Sequence, residues 1–121
     1  MNLAEAFITA GKIEEAKSTA EHALALARKM NNLEMIGATS TSLALAAIQE
    51  EQYPQATHYA EEALRSHQQV GHDAYVANSL AVLAQIEFKQ NKFVEARRLL
   101  EEAIGWGISS ISNSAKSNWQ K

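Results

Sequence analysis

The chain has 121 residues, 46% of them hydrophobic and 21% charged, with a formal net charge of −3. That length suits one domain burying roughly two thirds of the surface its unfolded form exposes, and leaves no room for a second catalytic domain. Lys and Arg alternate with acids instead of gathering in a stripe, cysteine is absent, and no apolar run approaches the roughly 18 residues that cross a bilayer; this excludes a nucleic-acid binder's footprint, disulfides, thiolate metal sites and a membrane span. Residues 1–10 lack the basic start and apolar run of a leader, so a cytoplasmic location is the default expectation.

Three copies of one pattern lie 40 residues apart: G-K-I-E-E-A-x3-A-E-x-A-L from Gly11, E-Q-Y-P-Q-A-x3-A-E-E-A-L from Glu51, and N-K-F-V-E-A-x3-L-E-E-A-I from Asn91. Five columns hold one residue throughout: Leu3/Leu43/Leu83, Ala4/Ala44/Ala84, Ala16/Ala56/Ala96, Glu21/Glu61/Glu101 and Ala23/Ala63/Ala103. Such a period means stacked supersecondary units, each burying a face on the next. The fold class expected is all-α, with three helix-turn-helix repeats at about residues 1–32, 33–72 and 73–112.

In the first unit Met1 falls where Thr41 and Ala81 sit mid-helix, which predicts a short first helix, a turn at Gly11-Lys12, and a second helix through Ala16, Ala20 and Ala23. In the second, Ala38–Gln49 carries Leu43, Ala44, Ala47 and Ile48 at helical spacing. After a turn at Glu51-Gln52, Pro54 suits the first turn of a helix that runs through Ala56, Ala60, Ala63 and Leu64 toward Val70, with Gly71 as its C-cap. Asp73 is a candidate cap for the next helix, which carries Val76, Leu80, Leu83, Ala84 and Phe88 to about Gln90. Phe93 then stands where Tyr53 and Ile13 stood, filling space at the turn. Gly105 and Gly107 each cost about 1 kcal/mol against alanine within a helix, so the last helix is expected to end near them. Residues 113–121 read as a tail, disordered or loosely docked as a cap.

The alanine stripes have a physical reason. Helices approach to about 8–10 Å only where the contact positions carry small side chains. Leu followed by a small residue, then Gly-Lys-Ile-Glu-Glu-Ala, then Ala-x3-Ala-x2-Ala resembles the tetratricopeptide repeat, over residues 1 to about 107. The 40-residue period is similar to the family's long variant found in bacterial regulators. The resemblance implies an α-solenoid wound as a right-handed superhelix. It also implies a protein or peptide partner held in a concave groove lined by first helices. Carried over by column, that groove comprises Glu5 and Thr9 in the first unit, Thr41, Leu45 and Gln49 in the second, and Asn78, Ala81, Gln85 and Lys89 in the third. The carboxylate clamp of chaperone-binding members is missing, since its columns hold Met1, Glu5, Leu45, Ala81 and Gln85.

Catalytic, metal and cofactor sites are not expected. His58 and His67 are nine residues apart and turn to opposite faces of one helix, while His67 and His72 flank a turn without further ligands at metal spacing. The paired carboxylates Glu14-Glu15, Glu50-Glu51, Glu61-Glu62 and Glu101-Glu102 point about 100° apart and read as scaffold. No Gly-rich phosphate loop, nucleophile elbow or zinc signature occurs. Trp106 and Trp119 are candidates for an end-face interface, against a plainer role for Trp106 in covering the last apolar layer with Leu99 and Ile104. The leading expectation is a protein-binding scaffold, neither enzyme nor nucleic-acid binder. The alternatives are self-assembly through the open end faces, as a homo-oligomer, or a regulatory segment of a larger enzyme or transcriptional regulator.

Overall fold

The computed structural model describes residues 3–119, the side chains of residues 5–9 and 113–119 excepted. Five helices follow in order: α1 Leu3–Lys29, α2 Leu33–Gln49, α3 Tyr53–Val70, α4 Asp73–Lys89 and α5 Phe93–Trp119. Consecutive helices pack on each other, and α2 also touches α4, which makes an all-α repeat solenoid. The hairpins α2/α3 and α4/α5 are the second and third units of the sequence period.

One turn geometry joins all five helices. Asn31, Glu51, Gly71 and Asn91 have φ of 53°, 60°, 80° and 65°, the left-handed conformation that closes a helix. In each case the next residue's N–H donates back to a carbonyl five positions earlier: Asn32 to Ala27, Gln52 to Ala47, His72 to His67 and Lys92 to Glu87, at 2.8–3.2 Å. These bonds satisfy carbonyls that would otherwise end the helix without partners. The Asn32 side chain then accepts from the Met35 N–H at 3.2 Å, so α2 opens at Leu33, ahead of the apolar stripe. Pro54 sits in the first turn of α3. At α4 the cap position belongs to His72, and Asp73 is the first helical residue.

The expected turn at Gly11 is absent, and α1 runs unbroken for 27 residues. Keeping Gly11 helical costs about 1 kcal/mol against alanine, less than opening a turn there and nucleating a second helix. At the other end α5 passes through Gly105 and Gly107 to Trp119, rather than ending near the glycines, and the backbone of residues 113–119 is helical. Trp106, between those glycines, packs on the core and pins the helix across them.

The core lies along the inner faces of α2 to α5. Ala44, Ala47, Ala56 and Ala60 let the helices approach, and Val76, Leu80, Ile86 and Leu99 fill the layer beyond. A second cluster of Leu24, Ala27, Ile36 and Leu43 fastens α1 to α2. The turn aromatics divide: Tyr53 packs against the core, whereas Phe93 is exposed and meets Phe88 edge to face at 5.3 Å. Arg28 on α1 donates to Glu62 on α3 (Nε to Oε2, 2.9 Å), tying two second helices together. Among the described residues no helix is long and apolar enough to cross a membrane.

Candidate functional site: the cleft between α2, α3 and α4

A cleft of about 530 Å³ opens where the start of α2, the end of α3 and the start of α4 converge. Glu34, Ala38 and Thr41 line it from α2, His67 and Val70 from α3, and His72, Tyr75 and Asn78 from α4 with its cap. The residues on each first helix recur at helical spacing, which turns them to one side. The four-residue link between His67 and the cap at His72 brings the third element in.

Gly37 makes this convergence possible. A Cβ at that position would fall 2.7 Å from His67 Nδ1 and 2.9 Å from Nε2, so only glycine leaves room for the imidazole against α2. His67 is consequently 6% exposed. Tyr75 stacks on His72 with ring centroids 4.0 Å apart and leans on His67 at 5.2 Å, giving one wall three contiguous rings. Glu34, Thr41 and Asn78 supply polar groups around them. A mostly apolar recess with a few convergent polar groups is the usual form of a site that seats one side chain or small group.

Burial pushes the His67 imidazolium below its ordinary value of 6.5, and the nearby His72 lowers it further. His67 is therefore neutral near pH 7, with one ring nitrogen donating and the other accepting. The sign of the linked stability follows: below the unfolded value the unfolded chain takes up a proton that the folded chain resists, so stability falls as pH falls from about 6.5 toward the depressed folded value. Chemical denaturation between pH 7.5 and 5.5 is expected to show a steeper loss for the parent than for His67→Gln. Parallel losses would contradict the buried neutral state.

Of the groove positions read from the sequence, the structure brings Thr41 and Asn78 to the cleft. Leu45, at 43% exposed, and Gln49 lie further along α2, with Ala81, Gln85 and Lys89 further along α4, outside the cleft lining. The side chains of Glu5, Thr9 and Trp119 lie outside the described residues. Trp106 is half-buried against the cluster that contains Leu99, while Ile104 remains exposed. Column reading missed Glu34, Ala38, His67, Val70, His72 and Tyr75 as cleft residues. A glycine at position 37, inside a helix otherwise free of it, was the one local sign. Among the described residues no three His, Asp or Glu side chains gather in a way that could hold a metal ion.

Helical hairpins joined by one repeated turn, each packed on the next along the chain, define a helical-repeat scaffold. The sequence model of the tetratricopeptide repeat matches residues 35–105, from the first turn of α2 into α5, and the chain belongs to that family. Repeats of this family generally mediate protein–protein interactions, and its members are typically non-enzymatic scaffolds. No curated protein and no solved structure matches the chain.

Proposed function

We propose that the concave face of α2 and α4 binds a peptide or helix of a partner protein, and that one partner side chain enters the cleft between Glu34 and Asn78. The observation that carries this reading is the ring wall of His67, Tyr75 and His72 set beside Thr41 and Asn78, because it gives an otherwise polar face a recess with both stacking surface and hydrogen-bond groups. Leu45, Gln85 and the columns beyond them extend the contact along the groove.

Affinity capture with the parent chain, with Leu45→Arg/Gln85→Glu and with Tyr75→Ala as parallel baits tests the groove. Proteins held by the parent are expected to be lost or reduced at least about tenfold with both variants, a difference of about 1.4 kcal/mol. If all three baits retain the same proteins to the same extent, the groove reading is wrong.

One observation favours a second reading, self-association through the end face. Leu100, Ile104, Ile108 and Ile111 form an exposed apolar row along α5, and the first two stand at the columns of Ala60 and Leu64, which α3 packs into the core. Ile104→Glu with Ile108→Glu would reduce a multi-chain mass to one chain if that row is the contact.

A further inference from the structure

Two rows of small side chains are less covered in the first unit than in the units that follow. On α1, Ala16 is exposed and Ala20 and Ala23 are half-buried, whereas Ala56, Ala60 and Ala63 in the same columns of α3 are all buried. On α2, Ser42 is exposed and Thr39 and Ala46 are half-buried, whereas Val82, Ser79 and Ile86 in the same columns of α4 are all buried. Ala16, Ala20 and Ala23 of α1 and Ser42 of α2 line one groove of about 540 Å³. It occupies the place that a first helix takes in each later unit.

The period states what fits there. In the second and third units the place is held by α2 and α4, which present Leu43-Ala44 and Leu83-Ala84, all four side chains buried. The first unit carries the same pair as Leu3-Ala4, both exposed, on the stretch of α1 that precedes Gly11. Gly11 occupies the column of Glu51 and Asn91, whose left-handed φ closes the other hairpins, yet it remains helical. With α1 straight through Gly11, residues 3–10 point away from their own slot and cannot fill it.

We propose that the slot takes residues Leu3–Ala10 of a second copy of this chain. The two α1 helices lie antiparallel and cross near Gly11, each supplying the other's missing first helix. First and second helices are antiparallel within each hairpin, so the exchanged contact continues the α2/α3 and α4/α5 interface by one more unit. No atom lies within 4 Å of a Cβ placed at Gly11, and the missing side chain lets two helices cross closely there. The arrangement is isologous and closes after two chains, the ordinary outcome when an element is exchanged across an opened hinge. It is independent of the concave-face reading, because the slot lies on the α1 side of α2.

Cysteines introduced as Ala4→Cys with Ala16→Cys, in a chain that otherwise has none, report the exchange directly. Their counterparts Ala44 and Ala56 are both fully buried in one core cluster, Ala44 on α2 and Ala56 on the α3 that packs against it. Mild oxidation is expected to give a covalent dimer as the main species on a non-reducing gel, and light scattering of the parent the mass of two chains. A disulfide within one chain means that the first unit closes on itself at Gly11 and overturns the proposal. Absence of any cross-link overturns it as well, whatever the mass. Glu14→Pro, which copies Pro54 and breaks α1 at the hinge, is expected to halve the parent's mass with helical circular dichroism retained; a two-chain mass for this variant also refutes the exchange. The Ile104→Glu/Ile108→Glu chain separates this contact from one through α5, since it should still cross-link.

Discussion

Truncating Leu43 to alanine is expected to cost about 2–5 kcal/mol of stability, the range for emptying a buried leucine site. Leu43 is 1% exposed and belongs to the cluster that fastens α1 to α2, so its loss opens a cavity in that layer. The same substitution at Leu3, in the identical column, should change the dilute chain by no more than about 0.5 kcal/mol, as for other exposed positions. Urea denaturation of both variants against the parent makes the comparison. Equal losses at the two positions would mean that burial does not follow the described fold. The three leucines of this column also show why identical residues in a repeat array are not equivalent. Leu43 and Leu83 are stabilised by the layers that cover them, whereas Leu3 is 74% exposed.

Gly37→Ala is expected to be destabilising although alanine is the better helix former by about 1 kcal/mol. The new methyl would overlap the His67 ring, and overpacking of this kind costs about 1–3 kcal/mol. The imidazole could escape only by swinging into the cleft, so the variant should also lose the Tyr75–His67 ring contact. His67→Ala in the same chain removes the obstacle and lets the helical preference of alanine show. Gly37→Ala should then be stabilising by several tenths of a kcal/mol up to about 1. A double-mutant cycle from thermal melts measures the coupling, expected between about 1 and 3 kcal/mol. A coupling near zero would show that His67 does not rest on Gly37.

Much of the fold was legible because periodic side chains report local helix faces. Leu43-Ala44 and Leu83-Ala84 fell on the predicted core stripe, and Gly71 fell on its left-handed cap. Gly11 did not follow its column, because a turn needs more than a residue able to adopt it. The segment before the turn must gain enough from packing back, and Leu3 and Ala4, its copies of the buried Leu43-Ala44 pair, are exposed, so nothing there offsets a new helix nucleus. Gly105 and Gly107 misled in the opposite sense: their intrinsic cost is real, yet Trp106 between them is held by the core. The cleft was the least legible part. Its defining contact joins Gly37 to His67 across two helices, and no repeat column records it. Thr41 and Asn78 were found through the family's groove columns, whereas the ring wall beside them comes from an inter-repeat link that the columns do not describe.

The same backbone closure at Asn31, Glu51, Gly71 and Asn91 has a kinetic consequence. Among the described residues the helices that pack on each other are mostly adjacent along the chain, with α2 on α4 and the Arg28–Glu62 tie from α1 to α3 as the exceptions, so the loops that folding must close are short and the contact order is low. Such chains assemble quickly from neighbouring segments, and either closed hairpin can serve as the first to form. Growth then proceeds outward from that hairpin, which leaves α1, a member of neither closed hairpin, as the last element to settle when α4/α5 forms first and as the first to be released.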